Sequence, residues 1–352
     1  MKITYISCRH ANCGIGRYTS ELANYVYDQE DVQVYRKGEG DKSFINAYPY
    51  RSFRSLKDYI APYYLYQAIK NEDSTIWHAD YPDAITSLHF KKKTKGKVVT
   101  TVHDAIPYLF YKDKLSFKFY EYNMKQAMKY SDAFIVVSKQ AKEDLIRFTN
   151  ISEDRVHVIY NGINHDFFYP GNVTENETFT IRYIGGLGVP HKNAIALVET
   201  ARILEKANVK FRLEIGSGIG TNTQLAKLIE EYGLKNVYFN GFIPDVELRS
   251  FLAGADLFFY PSLYEGFGFP PLEAMACGTA VVAANKGSLP EVLGNASYLV
   301  DPNPEDFANA IIEVMGNAKM RQTMQEKGIA QALKYHWSKA GSETLSLYHS
   351  LA

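Results

Sequence analysis

What most limits the folds open to this chain is a rhythm: short, almost uninterrupted apolar runs recur at intervals long enough to hold a helix. In the first half the runs are residues 2–6 (KITYI), 75–79 (TIWHA), 97–102 (KVVTTV), 133–138 (AFIVVS) and 156–160 (VHVIY). In the second they are 179–184 (FTIRYI), 211–215 (FRLEI), 236–240 (NVYFN), 256–260 (DLFFY), 279–283 (TAVVA) and 297–300 (SYLV). A strand with no polar face must be covered on both sides, which is the condition of a parallel sheet flanked by helices. The class is therefore α/β. A length of 352 residues, about twice that of a usual domain, divides most naturally into two doubly wound domains. Tyr169-Pro170-Gly171-Asn172, followed by the polar stretch 174–178, reads as the linker, so the first domain is 1–170 and the second starts at 171. Ligands of such sheets bind beyond the carboxyl ends of the strands, and the cleft between two facing domains is the expected site.

Composition removes several functions. Lys plus Arg and Asp plus Glu both total 39, so no global basic field exists to hold nucleic acid. Residues 1–170 carry a net +4 and the remainder −4, a modest polarity. Three cysteines, Cys8, Cys13 and Cys277, make no disulfide framework and no zinc spacing, which implies a reducing compartment. The N-terminus turns polar at Ser7, before a signal-peptide core could form, and no apolar run approaches membrane-spanning length. A cytoplasmic location is expected, with peripheral membrane contact open.

Two glycine-rich loops carry the chemistry. After the first run, Cys13-Gly14-Ile15-Gly16-Arg17 opens a helix. Such a loop is either a tight strand-to-helix turn or an anion cradle in which backbone N–H groups and the helix N-terminus meet phosphate. It lacks the third glycine and the acidic partner of a nicotinamide site, which disfavours an oxidoreductase. The second is Tyr264-Glu265-Gly266-Phe267-Gly268-Phe269-Pro270-Pro271-Leu272-Glu273, running on to Gly278. Proline near a helix start and glycine past its end place a short helix at 270–277, with Glu273 in its first turn and Glu265 in the loop before it. A carboxylate alone in either place would complement the helix dipole or sit in solvent. Two of them beside a phosphate cradle would instead accept hydrogen bonds from the hydroxyls of a ribose and a hexose.

At these residues the sequence resembles the retaining glycosyltransferases of family 4, which have the GT-B fold. Glu265 to Glu273 matches that family's E-x7-E motif. The likeness covers nearly the whole chain, including Gly14 to Gly16, Val102-His103-Asp104, Val137-Ser138, Asn161-Gly162, Gly185 to Lys192-Asn193, Gly241-Phe242 and Gly287 to Glu291-Val292. The resemblance implies that Glu273 holds the ribose, that Glu265 with Phe267 and Gly268 holds the donor sugar, and that Lys192 binds the diphosphate. It further implies that His103 meets the donor sugar and that Phe242 and Ile243 lie at the base. Gly14, Gly16, Arg17, Gly186, Gly266 and Phe269 complete the implied donor site, and His103, Lys192 and Glu265 are its catalytic residues. The texture of His103-Asp104-Ala105-Ile106-Pro107 looks most like mannosyltransferases of polysaccharide assembly. The resemblance also implies that the first domain, 1–170, binds the acceptor and the second, 171–337, the nucleotide-sugar donor, with the last helix, about 338–352, returning to the first domain.

One departure stands out. Many family members have an Arg six residues before the diphosphate Lys, where this chain has Gly186, leaving Arg17 or Arg182 to compensate. The plainer readings are an exposed helix-start lysine for Lys192 and a histidine bonded at a strand end for His103. No Asp-x-Asp occurs, so a diphosphate held by amides and Lys192, without a metal or other cofactor, is favoured. The expected reaction is retaining transfer of a hexose, mannose ahead of others, from a GDP- or UDP-sugar to a glycan or lipid-linked acceptor. The alternatives are an inactive nucleotide-sugar-binding subunit of an assembly complex, or a GT-B epimerase or phosphorylase. Residues 51–66 mix cations and aromatics, and Lys91, Lys92, Lys93, Lys95 and Lys97 make a basic knot, a pattern of membrane-surface contact or, more plainly, of a solvated turn and an aromatic acceptor wall, with Pro62 expected to interrupt the helix.

Overall fold

The computed structural model describes every residue except 12, 39–41, 49–56, 92–93, 172–175 and 218–222. The chain forms two compact units, Met1–Gly162 with Trp337–Ala352, and Ile163–His336.

In the first unit the strands are β1 (Lys2–Ile6), β2 (Asp31–Lys37), β3 (Ile45–Tyr48), β4 (Ile76–Ala79), β5 (Lys97–Val102), β6 (Ala133–Val136) and β7 (Val156–Val158). They form one sheet in the order β3-β2-β1-β4-β5-β6-β7, with every neighbouring pair parallel. The helices are α1 (Gly14–Tyr27), α2 (Lys57–Ile69), α3 (Pro82–Lys91), α4 (Ile106–Phe110), α5 (Leu115–Tyr130) and α6 (Lys139–Thr149). Successive strand residues point to opposite faces, and both faces are buried. Ile3, Tyr5, Ile76, Val99 and Ile135 pack with Tyr18, Leu22 and Val26 of α1. Ile6, Trp77, Ala79, Val98, Val102 and Phe134 pack with Ala61 and Leu65 of α2, Ile85 and Leu88 of α3 and Met124 of α5.

The two strands absent from the sequence reading are β2 and β3. In Asp31-Val-Gln-Val-Tyr-Arg-Lys37 apolar and polar residues alternate, the signature of a strand with one wet face near a sheet edge, so a search for continuous apolar runs passes over it. Pro62 also behaves otherwise than expected: α2 runs through it. Ala61, Leu65 and Ile69 bury one face of that helix, and the packing outweighs the single hydrogen bond that proline removes. Tyr59 and Tyr63 stay exposed on it. Residues 51–56 of the basic-aromatic segment and Lys92-Lys93 of the lysine cluster lie outside the described residues. Among the described residues no helix is long and apolar enough to cross a membrane.

The second unit has β8 (Phe179–Ile184), β9 (Phe211–Gly216), β10 (Val237–Phe239), β11 (Leu257–Tyr260), β12 (Ala280–Ala284) and β13 (Tyr298–Val300), again parallel, in the order β10-β9-β8-β11-β12-β13. Its helices are α7 (Ala194–Lys206), α8 (Thr223–Tyr232), α9 (Asp245–Ala253), α10 (Phe269–Ala276), α11 (Leu289–Leu293), α12 (Pro304–Gly316) and α13 (Ala318–Ala332). β11 and β12 are buried along their full length, which is why each reads as a continuous apolar run. Residues 163–170, assigned by sequence to the first domain, belong to the second unit. The Ile163 amide donates to Tyr335 O at 3.0 Å, and the Arg249 guanidinium lies 3.6 Å from the Tyr169 ring centroid while donating to the Tyr169 and Pro170 carbonyls.

From Trp337 the chain rejoins the first unit as α14 (Trp337–Leu351). Ala340, Leu345, Leu347 and Tyr348 enter the core beside α1, and the Tyr348 hydroxyl is bonded to Nδ1 of the fully buried His78. Gly341 lets α14 approach α1 closely: a Cβ there would overlap the Tyr25 ring. We therefore expect Gly341→Val to overpack this contact and cost about 1–3 kcal/mol, read as a lowered melting temperature. Gly316→Ala, at the end of α12 with open space around it, serves as the control and should leave the midpoint unchanged or slightly raised.

Candidate functional site

In the second unit the turn after β8 and the turn after β11 are stitched together. The Leu263 amide donates to His191 O at 2.7 Å, and Asn193 Nδ2 donates to Pro261 O at 3.2 Å. Asn193 takes left-handed backbone (φ 52°), ending a 3-10 turn at Pro190–Lys192 and starting α7, and this turns Lys192 back toward β11. Its Nζ lies 2.6 Å from Glu265 Oε1 and 2.8 Å from the Tyr260 hydroxyl. Tyr260 OH and Ser262 Oγ donate to the same oxygen at 2.9 and 2.6 Å. Oε1 thus collects three donors, whereas Oε2 has no hydrogen bond to any described residue. The carboxylate is 10% exposed and the ammonium 17%, so the pair is largely out of water, where an unmatched charge would be costly.

The backbone of Glu265 is fixed as well. Ser288 Oγ donates to Glu265 O at 3.0 Å, and Gly287 (φ 57°) approaches so closely that a Cβ would lie 3.0 Å from Glu265 N. Gly268 (φ 96°) caps α10, which begins at Phe269, one residue earlier than sequence suggested. Glu273 accordingly lies beyond the first turn, where it is 6% exposed. Phe269 rather than Pro270 leads the helix because Gly268 supplies the left-handed turn and both prolines then occupy early helical positions that need no N–H partner. Gly266 and Phe267 are buried, and Phe267 meets Phe269 and Tyr335 edge to face.

Gly186 is exposed. Arg182 does not stand in for the missing cation there: it is bound to Glu214 Oε2 at 2.8 Å and to the Phe251 carbonyl, 4.7 Å from that ring's centroid. Phe242, 82% exposed, and half-buried Ile243 lie in the loop after β10. Tyr260, Ser262 and Ser288 were not singled out by sequence. An apolar strand end followed by Pro-Ser, four residues before a loop glutamate, was their only signal.

In the first unit His103 follows β5. Its Nε2 donates to Asp80 O at 3.0 Å, and its ring meets Tyr18 edge to face at 4.8 Å. A carbonyl can only accept, so Nε2 carries the proton and Nδ1 keeps its lone pair. Burial pushes the pKa down to about 4, and the ring is neutral at pH 7. Gly14 and Gly16 differ. Gly14 opens α1 with nothing nearby, whereas a Cβ at Gly16 would collide with the backbone of His10, so the close approach at Gly16 is to the chain itself. Arg17 is half-buried on the first turn of α1.

Residues 13–167 match the family described as Glycosyltransferase Family 4, and residues 170–331 match Glycosyl transferases group 1. The chain belongs to the family 4 glycosyltransferases. O-antigen chain mannosyltransferase B of Escherichia coli is 26% identical to this glycosyltransferase over 386 aligned positions, covering all of both chains. The serotype-specific mannosyltransferase WbdA of the same species is 28% identical over 260 positions, 69% of this chain and 32% of that protein, so the glycosyltransferase spans about a third of that longer relative. Sucrose-phosphate synthase of Thermosynechococcus elongatus matches it with a TM-score of 0.83 at 18% identity over 100% of this chain and 99% of that one. HepE of Anabaena, solved with UDP and glucose, gives 0.81 at 19% over the whole of both. These likenesses establish the GT-B fold.

A chain of buried hydrogen bonds lies behind Tyr18. His78, 0% exposed, is bonded through Nε2 to Thr101 Oγ1 at 2.7 Å, and Thr101 to the Tyr18 hydroxyl at 3.0 Å. Burial lowers the His78 pKa to about 3, well below the value of about 6.5 for an unfolded chain. Below about pH 6.5 the unfolded state binds the extra proton, so the folded glycosyltransferase should lose stability as pH falls, by up to about 1.4 kcal/mol per pH unit from this group. Denaturant unfolding from about pH 7 to about pH 5 reads that slope, and His78→Gln should flatten it by close to one proton.

Proposed function

We propose that the protein is a retaining mannosyltransferase that takes mannose from a nucleotide-activated donor without a metal and adds it to a glycan or lipid-linked acceptor. The observation that carries this reading is the Lys192–Glu265 pair with one carboxylate oxygen oversupplied and the other open. Lys192 can swing its ammonium to the departing diphosphate while Tyr260 and Ser262 keep Glu265 satisfied, so no buried charge is stranded by the exchange. The open Oε2 accepts from a hydroxyl of the donor sugar. The three donors on Oε1 hold the carboxylate in place, so Glu265 serves as an anchor for the sugar. In the first unit, the lone pair on His103 Nδ1 is an acceptor for a hydroxyl. Glu273 takes the ribose hydroxyls, and the amides of the loop from Gly266 to Gly268 join Lys192 at the diphosphate. The absence of Asp-x-Asp and the names of the curated relatives support metal independence and mannose respectively.

Turnover assayed against a panel of nucleotide sugars tests the whole reading: mannosyl transfer from GDP-mannose is expected, and binding without turnover of any donor would overturn it. Lys192→Ala should remove about 2–4 kcal/mol of leaving-group stabilisation, roughly a 30- to 1,000-fold fall in kcat of the folded variant, and should lower the melting temperature because the buried Glu265 carboxylate loses its cation. Activity should persist in excess chelator. Complete loss that magnesium or manganese restores would replace the amide-and-lysine site with a metal-bridged one.

A further inference from the structure

The carboxyl of Asp80 plays no part in the chemistry above, yet the residue joins three elements of the first unit. Asp80 directly follows β4 and is 0% exposed. Its amide donates to Ile6 O of β1 at 3.2 Å, and its carbonyl accepts from His103 Nε2 at 3.0 Å. Its Oδ2 lies 2.7 Å from Thr19 Oγ1 on α1. Thr19 Oγ1 is also 3.1 Å from the carbonyl oxygen of Ile15, the residue between Gly14 and Gly16.

The proton count at Thr19 bears on the state of Asp80. A hydroxyl carries a single proton, and two oxygens lie within bonding distance of this one. Ile15 O can only accept. An ionised Asp80 can also only accept, so the two would have to share one proton. With a proton on Oδ2, Asp80 donates to Thr19 Oγ1, Thr19 donates to Ile15 O, and both contacts are full hydrogen bonds. The surroundings favour the same state. Oδ1 is buried with no hydrogen-bond partner among the described residues, a place that suits the carbonyl oxygen of an acid better than a share of negative charge. The titratable and charged groups facing Asp80 are Cys8 and Arg9 after β1, Tyr18 on α1, Tyr48 of β3, Asp83 on α3 and His103 after β5. Burial holds the thiol and both phenols neutral, and His103 is neutral as well. Arg9 is the cation among them, and Asp83 already binds it at 2.8 Å. Burial pushes the Asp80 pKa up to about 7 against the pull of the Ser7 and Thr19 hydroxyls, with Asp83 adding to the rise and Arg9 reducing it.

We propose that Asp80 is a positioning residue that works as a neutral acid: its side chain holds the first turn of α1 through Thr19, its carbonyl holds His103, and one proton keeps both on a single anchor. Loss of that proton leaves Thr19 one hydrogen for two acceptors. It also sets a charge, with no cation of its own among the described residues, beside the carbonyl that orients His103. The effect on turnover rests on the glycosyltransferase reading above, whereas the protonation state stands apart from it.

Infrared difference spectra of the whole protein, taken between about pH 5.5 and about pH 8.5, read the acid directly, because a buried carboxylic acid has a C=O stretch outside the amide bands that a carboxylate lacks. Wild type should show this band and lose it as pH rises through about 7. Asp80→Asn should abolish it. Thr19→Val keeps the shape of threonine but offers no acceptor, so it should shift the band, and it keeps the test open if Asp80→Asn fails to fold. The asparagine amide still has an N–H for Thr19 and so imitates the neutral acid. With GDP-mannose as donor, wild-type kcat should therefore fall at least about tenfold between about pH 6.5 and about pH 8.5, and Asp80→Asn should lose most of that fall. No acid band in wild type, a band that survives in Asp80→Asn, or an unshifted band in Thr19→Val would overturn the neutral acid. An alkaline fall as steep in Asp80→Asn as in wild type would overturn the positioning role. An acid band that behaves as expected in a protein that transfers no sugar keeps the neutral acid and overturns the glycosyltransferase reading instead.

Discussion

Parallel pairing governs both units. A strand that must lie beside its predecessor in the same direction needs a crossover to return, and the crossovers cover both faces of the sheet while gathering all the strand carboxyl ends along one edge. Residues far apart in sequence arrive there together. In the first unit Arg9, Asp80 to Asp83 and His103 follow β1, β4 and β5; in the second, Lys192 and Glu265 follow β8 and β11. The buried strands make the edge rigid, and the short turns leaving it carry the polar groups.

The second unit's site is organised around the cost of a buried carboxylate. Glu265 is held out of water by a cation, a phenol and a hydroxyl converging on one oxygen, and its own backbone is gripped by Ser288 and by the close approach of Gly287. Tyr260 also stacks on Tyr183, at 6.0 Å between ring centroids, which fixes the phenol that donates to Glu265. A carboxylate supported by several donors keeps hydrogen bonds when one of them moves away. In a lone Lys–Glu pair it would keep none.

Much of this was legible in the sequence, for identifiable reasons. Strands buried on both faces announce themselves as continuous apolar runs, and β11 and β12, the strands flanking the Glu265 loop, are the extreme case. Edge strands with a wet face do not, and β2 was lost for that reason. The glycines and prolines of residues 264–278 marked the loop and the helix, but the helix start depended on which residue adopts left-handed backbone, and only the φ of Gly268 decides that. Tyr260 and Ser262 were silent although their partner Glu265 lies in the same loop, because spacing does not say which side chains turn toward one oxygen, and Arg9 was silent because its partner, Asp83, sits on α3. Sequence spacing carries local geometry well and convergence of distant turns hardly at all.

The first unit shows how a backbone group can set the chemistry of a side chain. Asp80 O accepts from His103 Nε2, and a carbonyl offers no proton in return, so the tautomer is fixed without any acidic partner. With its pKa pushed down to about 4 by burial, His103 carries no charge near neutrality and has no proton to give on Nδ1. It can therefore receive a hydroxyl but cannot neutralise a departing phosphate. The nearby Arg9 cannot do so either, since Asp83 already holds it. Among these groups the only cation close to a partly open carboxylate is Lys192, tethered by contacts that can be exchanged one at a time. The two units thus differ in kind: the polar groups around His103 are neutral or already paired, whereas Lys192 is a cation shared between a phenol and one oxygen of a carboxylate.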